Sequence, residues 1–154
     1  MNRYALTLIA VLAAATAYGE VVSETWGPAG EPFAHPGGLK LDSGGDSPEL
    51  VVDLSPIPKG AKIYHASLFA DPPGVQPREP VRVLADGKAL KLEPPRFVSF
   101  DATAAVQKWV ADPSKKRSFV IERFDGFNAG RTFLEIRYEG KPDKGKLPPQ
   151  VEGL

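Results

Sequence analysis

The sequence predicts an antiparallel β-sandwich of jelly-roll type, an all-β fold closed by one short helix at about residues 101–111. Three observations carry this expectation. Short runs of alternating apolar and polar residues recur along the chain, and 16 prolines and 15 glycines punctuate them. One segment, Phe100 to Pro113, has helical rather than strand spacing. A closed barrel would use the same strands, and strand counting alone does not separate the two architectures.

The first 19 residues have the three parts of a secretory signal peptide. Arg3 supplies positive charge, Ala5 to Ala14 form an apolar run, and small residues offer cleavage after Ala17 or Gly19. About ten apolar residues fall short of the roughly 20 that cross a bilayer, so no membrane insertion is expected after cleavage. The mature domain is then expected over residues 20–140, secreted or held at the cell surface, with a linker-like tail at 141–154 that suggests a further domain beyond. Lys+Arg and Asp+Glu both number 19, which argues against a nucleic-acid groove or a polybasic membrane patch. The chain has no cysteine, so neither disulfides nor thiolate chemistry can contribute.

Strands are predicted at Glu20 to Trp26, Leu39 to Asp42, Glu49 to Leu54 and Lys62 to Ala70. In the last of these Tyr64, Ala66, Leu68 and Ala70 share a face, which places Tyr64 inward. Asp86-Gly87 between Val81–Ala85 and Lys88–Glu93 is a hairpin signal, because glycine tolerates positive φ. Arg96 to Phe100 leads into the helix, and Arg117 to Phe124 and Arg131 to Glu139 close the set. Gly27 to Gly38, Asp71 to Pro80 and Asp125 to Gly130 read as loops.

On a helical wheel Ala102, Ala105, Val106, Trp109 and Val110 share one face, while Ala104, Gln107, Lys108 and Ala111 look outward. Asp101 or Thr103 can cap the first free amides, and Pro113 ends the helix. So short a helix is not stable alone. It is expected to lie over an open end of the sandwich, with Trp109 as the plug.

The run "FDATAAVQKWV" resembles the F-D-V-T-x-x-V-x-x-W segment of the secreted DNRLRE-type domains, which include carbohydrate-binding modules. "LVVDLSPIPKGAKIYHASLFA" is similar to their strand-loop-strand run "FDLSxIPxGAxIxxAxLxL", and "SFVIERF" and "TFLEIRYEG" occupy the places of the closing strands. A similar helix with tryptophan occurs in the arm region of TGF-β-type propeptides. The resemblance covers Leu50 to Gly140. It implies a sandwich in which Asp101 caps, Trp109 plugs and neither is catalytic, in a module that binds polysaccharide or holds a neighbouring extracellular domain.

Motifs for an enzyme are sparse. The only histidines are His35, in a Gly/Pro loop, and His65, on a strand face, and each reads as an ordinary surface or half-buried histidine. No nucleophile elbow, zinc helix or phosphate-cradling loop occurs in the sequence. Glu122 and Glu135, predicted on adjacent strands, fit charge pairs with Arg123 and Arg137 better than a glycosidase acid pair. A hydrolase would need Glu122, Glu135 or Asp125 to meet His65 in one concave site. Asp42 and Asp46 flank the flexible turn "SGGD"; the sequence favours a solvated turn and no cofactor, with a structural calcium there as the alternative. A sugar-binding surface needs exposed rings beside polar groups. The residues expected to supply them are Trp26, Phe124 and Phe127, with Asn128 alongside. The function expected from the sequence is therefore a non-catalytic extracellular module that binds carbohydrate, or else a structural or protein-interaction unit.

Overall fold

The computed structural model describes residues 20–30, 32–70, 82–93, 96–122 and 129–140. The predicted leader, the loop from Asp71 to Pro80, the sugar-site candidates Phe124, Phe127 and Asn128, the acid Asp125, and the tail lie outside these residues.

The chain runs through β1 (Glu20–Gly27), β2 (His35–Pro36), β3 (Leu39–Asp42), β4 (Glu49–Val52), β5 (Ile63–Phe69) and β6 (Arg82–Ala85). Then follow β7 (Lys88–Ala89), β8 (Lys91–Glu93), β9 (Arg96–Asp101), the helix α1 (Thr103–Ala111), β10 (Ser118–Glu122), a 3-10 turn (Ala129–Arg131) and β11 (Phe133–Gly140). Two sheets form, in the orders β2-β1-β11-β5-β9-β8 and β3-β4-β10-β6-β7. Pairing is antiparallel except where β1 meets the short β2. The strands therefore make an all-β sandwich of two open sheets rather than one closed barrel.

Alternation along each strand builds the core. Leu134, Ile136 and Tyr138 of β11, Ala66 and Leu68 of β5, and Phe100 of β9 face inward from the larger sheet. Leu50, Val52, Val83, Ala85, Phe119 and Ile121 meet them from the smaller one. The β6–β7 connection is the predicted hairpin, with both Asp86 (φ 50) and Gly87 (φ 75) in the left-handed region that a primed two-residue turn requires.

Local departures from the expected elements have physical causes. Tyr64 is exposed, not inward, because the pairing of β5 with β11 slips between Arg137 and Tyr138. Arg137 opposes His65 while Tyr138 opposes Ile63, so the extra residue Tyr64 inverts the alternation and Ile63 takes the inner position. The run Lys88–Glu93 is not one strand. It breaks at Leu90, sending β7 to the smaller sheet and β8 to the larger.

The helix α1 has the expected buried face: Ala105, Val106 and Trp109 are buried and Val110 is partly so, while Ala104, Gln107, Lys108 and Ala111 are exposed. It starts at Thr103, and Asp101 Oδ1 accepts the Thr103 amide at 3.0 Å, so Asp101 holds the first turn from one position further out. Thr103 instead bonds β5: its hydroxyl accepts the Ala66 amide at 3.0 Å, beside the Ala102 amide donating to the Ala66 carbonyl at 2.8 Å. Gln107 Nε2 donates to the Ile63 carbonyl at 3.0 Å. The helix thus continues alongside β5 where β9 has ended. From there it reaches the other sheet, where Trp109 packs on Phe119 with ring centroids 5.0 Å apart. The indole Nε1 donates to the Asp86 carboxylate at 3.2 Å. Among the described residues no helix is long and apolar enough to cross a membrane.

Candidate functional site

The outer face of the larger sheet gathers chemistry-bearing side chains in rows set by strand register. Ser23, Arg137 and His65 stand opposite one another across β1, β11 and β5. The next row, two residues along, is Thr25, Glu135, Ser67, Asp101 and Lys91, and it crosses five strands. At the strand spacing of about 4.8 Å that row is about 19 Å long. Beside it runs a third row, Phe133, Phe69 and Ser99. The Phe69 and Phe133 rings stack with centroids 4.6 Å apart, and Phe33 lies against the far side of Phe133 at 5.9 Å. All three rings are half-buried. Gly27 leaves the space in which the Phe33 ring sits, since a Cβ there would strike that ring.

His65 has specific partners. Its Nε2 lies 2.9 Å from Glu93 Oε1, and its Nδ1 lies 3.4 Å from the Ser67 hydroxyl. Ser67 and Ser99 both donate to Glu93 Oε2, at 2.8 and 2.7 Å. Both serines are buried although they point away from the core. Burial pushes the Asp101 carboxyl up. The bonds from the Thr103 hydroxyl and amide, with the charges of His65 and Lys91, outweigh that and hold it below the usual carboxylate range. A groove of about 370 Å³ opens beside Asp101, between α1 and the β6–β7 hairpin, with Lys88, Lys91 and Lys108 on its wall.

Trp26, expected as an exposed ring, is instead fully buried. The Gly/Pro segment after β1 folds back over it. His35 lies against the indole at 4.3 Å, Gly38 fits where a Cβ would come within 2.6 Å of the ring, and Nε1 donates to the Asp53 carbonyl at 2.8 Å. Trp26 is a core residue and offers no ring to a ligand. On the same inner face Glu24 Oε2 accepts the Tyr138 hydroxyl at 2.7 Å and pairs with His35 Nε2 at 2.6 Å. Burial first, and then the Glu24 bond and charge, push the Tyr138 phenol well above its ordinary value.

The remaining expectations divide. Glu122 and Glu135 do not face one another, because β10 and β11 belong to different sheets. Glu122 pairs with Arg82 at 3.2 Å, and Glu135 with Arg137 at 3.5 Å. Neither acid is a partner of His65; that role falls to Glu93 and, nearby, Asp101. Asp42 and Asp46 are both exposed, and Asp42 Oδ1 accepts the Gly44 amide at 3.0 Å as an ordinary turn. Among the described residues, the three-ligand cluster lies elsewhere, at His65, Glu93 and Asp101. His65 and Ser67 in one strand, and Ser99 and Asp101 in the next, each sit two residues apart. That polar i, i+2 pattern on neighbouring strands is a signal the sequence carries. Glu93 joins them only through a register shift between Leu92 and Glu93, which no local pattern encodes. No family model, curated protein or solved structure matches this chain.

Proposed function

We propose that the chain is a non-catalytic binding and spacer module of an exported protein, and that it holds a polysaccharide on the outer face of the larger sheet. The observation that carries this is the side-by-side placement of an aromatic row (Phe33, Phe133, Phe69) and a polar row about 19 Å long. A sugar chain has apolar ring faces and a rim of hydroxyls, and a surface that pairs rings with carboxylates, hydroxyls and a guanidinium complements both. Phe133 has both Phe69 and Phe33 as ring neighbours and all three are half-buried, so less ring area is left for a sugar. Binding to one repeat is then weak, and several repeats in a row supply the affinity. The strand order supports the jelly-roll reading, since β1-β11-β5-β9 faces β4-β10-β6-β7. The likeness of the Leu50 to Gly140 region to DNRLRE-type domains points the same way.

Affinity electrophoresis against a panel of neutral and acidic polysaccharides tests this reading. The expected result is retardation by at least one polysaccharide, abolished by Phe133→Ala and reduced by Phe69→Ala. No retardation by any member of the panel would overturn it. The same face would then be better read as a seam against a neighbouring domain, the structural alternative.

A further inference from the structure

The polysaccharide reading uses Asp101 only as one member of the polar row and gives no role to the cluster in which it meets His65 and Glu93. His65 on β5, Glu93 on β8 and Asp101 on β9 each present a donor atom, and the three atoms lie within 4.8 Å of one another. We propose that these residues form a binding site for a first-row divalent metal ion, with zinc the ion its chemistry fits best.

The donor set argues the class of ion. One imidazole nitrogen with two carboxylate oxygens suits zinc and its neighbours, whereas calcium and magnesium prefer oxygen ligands only and more of them. Two carboxylates balance the dication, and three protein ligands leave a position open for water or a ligand oxygen. Donors around a tetrahedral zinc stand about 3.4 Å apart, so separations of up to 4.8 Å must close by as much as about 1.4 Å while the His65–Glu93 pair, now at 2.9 Å, opens by about 0.5 Å. Rotation of side chains is enough: Asp101 is exposed, and 44% of the His65 side chain is accessible.

The surroundings are those of a site rather than of a plain surface ion pair. Ser67 and Ser99 are 5% and 2% exposed on the solvent side of a sheet, and their hydroxyls converge on one oxygen of Glu93. They fix the carboxylate so that its other oxygen faces His65 Nε2 at 2.9 Å. The Thr103 amide fixes Asp101 through Oδ1. Outer hydrogen bonds that orient each ligating group are what metal sites require. A surface ion pair contributes little and has no need of two buried hydroxyls beneath it. Metal would take the place of the direct contact between His65 Nε2 and Glu93 Oε1.

The test uses the full chain, stripped with a chelator and titrated with cobalt(II) by visible absorption and with zinc by calorimetry. One equivalent of each is expected to bind, with the intense bands of four- or five-coordinate cobalt, and zinc should displace the cobalt. His65→Ala and Glu93→Gln should each weaken zinc by more than about 100-fold, and Ser67→Ala by about 10–100-fold. Asp101→Asn keeps the oxygen that holds the helix start, so it should fold normally while changing the cobalt spectrum. His35→Ala should leave binding unchanged. The proposal is overturned if the wild-type chain shows no saturable binding. Binding that survives His65→Ala, a cobalt spectrum unmoved by Asp101→Asn, or loss of binding in His35→Ala would overturn it equally.

Discussion

Glu24 shows how one residue organises its surroundings. It stands on the inward phase of β1, between Val22 and Trp26, where alternation calls for an apolar side chain. Its carboxylate is tolerated there because a single oxygen receives both the Tyr138 hydroxyl and the His35 ring. The consequence for pH follows from the raised phenol of Tyr138. In the folded chain the phenol stays protonated at pH values where the unfolded chain, with an ordinary tyrosine pKa of about 10, begins to ionise. The folded state then binds more protons than the unfolded one, so stability falls as pH rises above about 10. Denaturant midpoints measured from pH 8 to 11.5 should decline at the alkaline end, and Tyr138→Phe should flatten that decline. An unchanged slope in the variant would mean the phenol is not protected.

At the scale of the element, α1 is the part whose extent and buried face follow from its own residues. The 3.6-residue spacing specified which face is buried, and Pro113 limited its length; both depend only on neighbours in sequence. What it packs against was legible only in outline. Trp109 fills space beside Phe119, and its Nε1 reaches Asp86, a hairpin residue whose own signal was merely a turn. Trp109→Ala should therefore cost about 3–5 kcal/mol, read by urea denaturation, because a large buried ring leaves a cavity. Asp86→Asn keeps an acceptor for the indole and tolerates the positive φ, so it should cost far less. Trp26 was misplaced for the opposite reason: nothing within β1 announces that Gly27 to Gly38 returns to cover it. Tyr64 faces outward because of a register shift that arises from pairing with the distant β11, and Glu93 reaches the site through a second shift in the β8–β9 pair; neither follows from alternation along one strand. The candidate site suffered most from this. His65 and the serine pattern were visible, but the acid that joins them depends on a bulge.

Across the whole molecule the absence of cysteine leaves packing and hydrogen bonds to join the two sheets. Each tryptophan makes one such tie. Trp26, on β1 of the larger sheet, donates to the Asp53 carbonyl just beyond β4 of the smaller. Trp109, on a helix bonded to β5 of the larger sheet, donates to Asp86 between β6 and β7 of the smaller. Both indoles are fully buried, so neither tie can open without exposing core to water. It follows that the lid should not unfold separately from the sandwich. The two single-tryptophan variants make this measurable, since Trp26→Phe leaves Trp109 as the fluorescent reporter and Trp109→Phe leaves Trp26. In each variant the fluorescence midpoint in urea should coincide with that of the far-ultraviolet circular dichroism, the mark of one cooperative transition. If Trp109 fluorescence changed at lower urea than the sheet signal, the helix would be a hinged cover rather than part of the core. The bonds from Thr103 and Gln107 to β5 would then be too weak to hold it shut.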